Sequence, residues 1–135
     1  MIMFFVEGIP APQGSKRHVG GGRMIESSKK LKPWRDAVAR IAREYAPDEP
    51  LDEALRVQLE FYLPMPKRTK FGDRPAGKPD SDKLARAILD SCTDAGIWAD
   101  DSRVVSLHVQ KYWAFDKPGV MVTVEPLWEH LTRTV

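Results

Sequence analysis

Between Ala54 and Pro64 the chain reads "ALRVQLEFYLP", in which Leu55, Val57, Leu59, Phe61 and Leu63 alternate with polar or aromatic residues. A period of two puts all five apolar side chains on one side of an extended strand. A strand of that kind is half buried, so it needs partner strands and a layer over its apolar face. The rest of the chain supplies both. "IMFFVE", Ile2 to Glu7, predicts a strand stopped by Gly8 and Pro10. "VVSLHVQKYWAF" and "GVMVTVEPL" predict two more, and the short "DKP" between them predicts a hairpin. Trp34, Val38, Ile41, Ala42 and Tyr45 recur at helical spacing, which predicts a helix from about Lys32 to Tyr45, with Ser27 or Ser28 as cap and Pro33 in its first turn. The Gly20-Gly21-Gly22 run before it predicts a short hairpin or a flexible loop. "SDKLARAILDSCTDAG" predicts a second helix ending at Gly96, with Leu84, Ala87, Ile88, Ser91 and Ala95 facing the sheet. The expected fold is α+β: one domain, a mixed β-sheet with two helices packed on it. A length of 135 residues suits that, because such a chain buries about two-thirds of its unfolded surface.

Charge is distributed unevenly. The net charge is only +2, yet the segment from Arg56 to Lys78 carries six bases against two acids. Asp80, Asp82, Asp90, Asp94, Asp100 and Asp101 follow directly. A basic flank beside an acidic cluster suits a polyanionic substrate and a bound cation. Cys92 is the sole cysteine, which excludes an intrachain disulfide and a cysteine-based zinc site and suits a reducing compartment. Met1 to Val6 is too short to span a membrane and lacks the basic start of a signal peptide. The protein is therefore expected to be cytoplasmic and to have no membrane partner.

Asp80 and Asp82 open the second predicted helix; Asp100 and Asp101 follow it. A helix from Ser81 to Asp94 is about 20 Å long, so its ends cannot share one ligand by straight extension. Either "AGIWADD" returns the chain along the helix, which an extended run of about 20 Å can do, or a partner subunit supplies the second acid. Carboxylates without cysteine suit a hard cation, Mg²⁺ or Mn²⁺, which can activate a water and neutralise phosphoryl charge. The same residues also admit a plain structural role. Asp is favoured at a helix N-cap and first turn, Asp82 can pair with Arg86 one turn on, and Asp100-Asp101 can be a solvated turn.

The block "DSDKLARAILDSCTDAGIWADDSRVV" resembles the RusA family of Holliday junction resolvases of bacteria and their phages. The shared pattern is Asp-x-Asp opening a helix, an Asp within it, then Ala-Gly, an apolar residue, Trp, one further residue, Asp-Asp and a Val-Val strand. The opening "GIPAPQGSKRH" resembles the amino-terminal segment of phage-type members. The resemblance implies a dimeric, Mg²⁺-dependent endonuclease that cuts branched DNA, four-way junctions above all. It implies Asp80, Asp82 and Asp101 as metal ligands, with Asp100 a neighbour. Arg86 stands where a lysine is familiar, and Lys83 where an asparagine is. Lys111 matches a strand lysine; it shares the face of Val105, Leu107 and Val109, where an ammonium needs a carboxylate or phosphate partner or must snorkel at the strand end. Lys111 or Arg86 would stabilise the developing charge.

The flanking bases fit DNA contact. Lys16 and Arg17 after "PQGS" would grip phosphate, or lie in a solvated loop. Lys67, Arg68, Lys70, Arg74 and Lys78 surround Phe71 in a 65–79 loop; they would track the backbone while Phe71 wedges between unstacked bases, or the loop is mobile and the Phe incidental. Arg23, Lys29, Lys30 and Lys32 form a second basic patch. Trp34, Trp98, Trp113 and Trp128 are expected in the core or a dimer interface, His108 on an exposed face, and Cys92 as a packed residue. The rival reading is a non-catalytic DNA-binding accessory module. A nucleotide phosphotransferase is disfavoured because no P-loop motif occurs.

Overall fold

The computed structural model describes residues 1–14, 20–69 and 71–133, with the side chains of residues 20–28 outside that description. The strand that the alternation demands is β2, Leu55–Leu63, and its apolar residues are buried without exception. It is central. Four strands lie in the order β1-β4-β2-β3, where β1 is Ile2–Glu7, β3 is Val104–Trp113 and β4 is Gly119–Pro126. β2 runs parallel to β3 and antiparallel to β4, and β1 pairs antiparallel with β4. The sheet is therefore mixed, as expected, but β3 and β4 do not form the expected hairpin: β2 lies between them. The connector at 114–118 has only to cross one strand, about 10 Å, which five residues span easily. A strand with a fully apolar face is most stable with neighbours on both sides, so β2 takes the centre and β3 the edge.

The helices cover one face. α1 is Gly20–Tyr45 and α2 is Ser81–Ala95. Trp34, Val38 and Ala42 of α1, with Leu84, Ala87, Ile88 and Cys92 of α2, close over Phe4, Val6, Val57, Leu59, Phe61, Val122 and Val124. Ser91 and Ala95 are buried on that same α2 face, as the spacing predicts. Burial pushes the Cys92 thiol up to about 12, which suits an inert packed residue. α1 starts earlier than expected: the Gly20–Gly22 run belongs to the helix, and Pro33 lies inside it at an exposed position. Glycine costs about 1 kcal/mol per residue in a helix, but extension of a helix already held by packing adds a hydrogen bond per residue without a new nucleus.

A third helix, α3, Leu127–Arg133, was not foreseen. Seven residues are too few for a periodic signal. It is tied down by Glu125, whose side chain is 1% exposed. Arg133 Nη2 donates to Glu125 Oε1 at 2.9 Å and its Nη1 lies 2.7 Å from Oε2 as an ion pair, with His130 at 3.4 Å and Arg56 at 3.8 Å. Trp128 is 60% exposed on α3, so it is not a core residue, unlike Trp34 and Trp98. The Arg133 hydrogen bond holds the Glu125 carboxyl below its usual range, against the effect of burial and with help from His130 and Arg56. Because the folded pKa is depressed, this stabilisation is present above the unfolded value, about 4.3, and is lost as pH falls through the folded value. Glu125→Gln should therefore cost about 2 kcal/mol at pH 7, trimmed by the half-exposed Arg133, and much less at pH 3. Urea unfolding at the two pH values checks this; a gap that widens in acid would refute it.

Candidate functional site

The acids are set out by how α2 begins and ends. Asp80 occupies the N-cap position in extended backbone (φ −72°, ψ 141°), but its side chain makes no capping hydrogen bond. Its Oδ2 instead lies 3.7 Å from Lys83 Nζ. Asp82, in the first turn, is exposed, and so is Arg86. The Asp82–Arg86 ion pair that would explain both structurally does not form: among the described residues neither side chain has a hydrogen-bond or ion-pair partner.

The other end of α2 turns back. Gly96 adopts the left-handed conformation (φ 84°) and its N–H caps the helix at Cys92 and Thr93. Ile97 and Trp98 then plunge into the core. Trp98 Nε1 donates to Thr93 Oγ1 at 2.8 Å, and Leu51 pairs with this segment through Leu51 N to Ile97 O (3.0 Å) and Ala99 N to Leu51 O (2.8 Å). Asp100 spends its carboxylate as a cap, accepting from Ser102 N at 2.9 Å; hydrogen bonds from Ser102 hold its pKa low. Asp101 opens the 3-10 turn Asp101–Arg103 with a free carboxylate among the described residues.

The return therefore happens within one chain. Asp82, Arg86 and Asp101 line one hollow of about 480 Å³, floored by Leu107 and Val109. Asp90 lines it too and accepts from Gln13 Nε2 at 2.7 Å. Its signal was there: 82, 86 and 90 are successive i+4 positions on one helix face. Asp80 is not in this hollow. It lines a larger cleft, about 840 Å³, with Trp34, Lys30, Lys78 and Lys83. Among the described residues no three His, Cys, Asp or Glu side chains cluster closely enough to enclose an ion. Two unpartnered carboxylates facing one hollow still fit Mg²⁺, which is held by one or two carboxylates and completes its shell with waters and phosphate.

The basic loop before α2 is an anchored strap. Arg74 lies over the Tyr112 ring, 4.2 Å from its centroid, and Tyr112 stacks on Tyr62 at 5.4 Å. Trp113 Nε1 donates to Gly72 O at 3.0 Å. Lys111 Nζ donates to Gly77 O at 2.8 Å and Pro79 O at 2.9 Å, so its partners are two backbone carbonyls, not the carboxylate or phosphate that its position on an apolar face suggested. That face is itself more open than expected: Val105 is 58% and Leu107 41% exposed, because β3 is an edge strand. Phe71 is 44% exposed, and its ring lies so close over Gly77 that a Cβ there would sit 3.0 Å away. Lys67, Arg68, Arg74 and Lys78 are exposed on the strap. His108 is exposed, as expected. Lys16, Arg17 and Lys70 lie outside the described residues.

Comparison with known proteins gives a consistent result. A profile of the family described as "Endodeoxyribonuclease RusA" matches residues 6–125. The "Crossover junction endodeoxyribonuclease RusA" of Escherichia coli is 30% identical over 76% of this chain and 78% of its own length. The protein of the same description from Enterobacteria phage 82 is also 30% identical over the same shares. The "Uncharacterized protein YqaN" of Bacillus subtilis is 29% identical over 91% of this chain and 94% of its own length.

Proposed function

The chain belongs to the RusA family of endodeoxyribonucleases, and from that premise we propose that it is a Mg²⁺-dependent, structure-selective nuclease that resolves four-way DNA junctions by phosphodiester hydrolysis, in recombination and repair. The observation that carries this reading is the hollow that Asp82 and Asp101, both unpartnered among the described residues, line together with Arg86. Asp82 and Asp101 would hold Mg²⁺, or Mn²⁺ in its place; Asp80, in the neighbouring cleft, would join as third ligand only by leaving Lys83 and turning toward the hollow. Bound there, the ion supplies a water of lowered pKa and neutralises phosphoryl charge. The Arg86 guanidinium is free to meet the charge that develops on the phosphate oxygens. Lys67, Arg68, Arg74 and Lys78, joined by Lys16, Arg17 and Lys70, would hold the backbone, and Phe71 would enter the unstacked centre of the junction.

A four-way junction has two-fold symmetry, which makes two sites in a homodimer sensible. No helix among the described residues is long and apolar enough to cross a membrane, and we place the enzyme in the cytoplasm with the DNA. The test is a synthetic four-way junction beside a linear duplex of the same sequence, each with Mg²⁺ and with EDTA. Nicking of the junction alone, and only with Mg²⁺, is the expected result. Equal cutting of the duplex, or cutting in EDTA, would overturn the reading. Tight junction binding with no cleavage would favour an accessory module instead.

A further inference from the structure

Lys111, Tyr112 and Trp113 are consecutive at the end of β3, and each holds a different point of the strap: Lys111 the carbonyls of Gly77 and Pro79, Tyr112 the Arg74 guanidinium, Trp113 the carbonyl of Gly72. Successive side chains of a strand point to opposite faces of the sheet. Lys111 and Trp113 therefore grip from one face and Tyr112 from the other, so the strap is wrapped around the end of an edge strand. Arg74 Nη1 also reaches Lys111 O at 3.5 Å. The two carbonyls held by Lys111 flank Lys78 and come immediately before Asp80, the residue that begins α2.

We infer that Lys111 is a positioning residue for the carboxylates at the start of α2, acting through the strap and not by contact with the scissile phosphate. An ammonium suits the task because it has three donors and no acceptor, and here two donors converge on carbonyls two residues apart. With those carbonyls fixed, the direction in which α2 starts is fixed, and with it the placing of Asp80 and Asp82 before any cation arrives. Groups that orient metal-binding carboxylates commonly change metal affinity by about ten- to a hundredfold when removed. What is positioned rests on the proposed function; that the strap is held does not.

The test compares Lys111→Met and Lys111→Arg with the unaltered protein by Mn²⁺ titration without DNA, followed by electron paramagnetic resonance, by limited trypsin digestion at the strap bases, by junction binding in EDTA, and by junction cleavage with Mg²⁺. Lys111→Met should weaken Mn²⁺ binding about tenfold and speed strap digestion, and junction binding in EDTA should fall with it because the strap carries the bases that meet the backbone. Lys111→Arg, which can still donate to both carbonyls, should recover much of all three. Unchanged Mn²⁺ affinity and unchanged digestion, with cleavage alone reduced, would mean that Lys111 acts on the phosphate and would overturn the inference. Faster digestion with unchanged Mn²⁺ affinity would overturn it too. Should Lys111→Met fail to fold, Trp113→Phe removes the Gly72 bond alone and is read by the same measurements. If Asp82→Asn leaves Mn²⁺ affinity untouched, the metal reading has failed, and the digestion arm still decides whether Lys111 holds the strap.

Discussion

Asp82→Asn should lower junction cleavage by about a thousandfold while junction binding in EDTA stays equal or tightens. The substitution keeps shape and removes one charge. Asp82 is exposed and has no partner among the described residues, so no buried group is orphaned. The stability cost should be confined to a weaker helix-dipole contact, about 0.5 kcal/mol. Removing a negative charge from a surface that approaches phosphate reduces repulsion, hence the expected gain in metal-free binding. Single-turnover cleavage, a gel-shift titration and a thermal melt of the same preparation separate these effects. Asp101→Asn should behave alike, and the double variant should be little worse than either single one, because residues acting as a unit are not additive. Cleavage that persists in Asp82→Asn would remove the hollow from consideration as the active site.

Trp98→Ala should be the most damaging single change to the fold among those that bear on the site. Trp98 is 1% exposed and heads the fully buried side chains by volume. Its loss should cost about 3–5 kcal/mol and lower Tm by about 10 °C or more. Trp98→Phe gives up the Thr93 bond and some volume, and should cost about 1–2 kcal/mol. The side chain also stands in the segment that carries Asp101 back along α2. Cleavage by the folded fraction, measured well below Tm, should therefore fall about tenfold or more in the Ala variant, since misplacement of about 1 Å in a reacting constellation is costly. Activity that merely tracks the folded fraction by circular dichroism would show that Asp101 does not depend on this anchor.

What the sequence revealed, and what it hid, divides by range of interaction. The alternation in β2 and the buried stripe of α2 depend on spacing within one element, and both appear as read. The pairing of β2 with β3 and β4 depends on which strand competes best for the centre, and proximity along the chain misled there. Lys111 illustrates the same limit. Its face was correctly deduced from alternation, but its partners, Gly77 and Pro79, are supplied by a loop whose path no periodicity records. The burial of Glu125 has no local signal, because Arg133, which neutralises it, lies on a helix too short to show a period. For the site, spacing and resemblance together named Asp82, Arg86 and Asp101, which do line one hollow, and Asp80, which lines its neighbour. Asp90 is one helix-face acid among several in the sequence, where nothing marks the Gln13 that reaches it from the N-terminal segment.

The strand order has a consequence for how the chain is made. β1 touches the sheet only through β4, the last strand to be synthesised. While translation is under way, β2, α2 and β3 can assemble their parallel unit, hollow included, but β1 has nothing to pair with until Pro126 has emerged from the ribosome. Contacts between such distant parts of a chain are slow to form, and an apolar edge left waiting is prone to wrong partners. Between the synthesis of Val109 and that of Pro126 the chain therefore carries the groups of the hollow without the completed sheet that holds them steady.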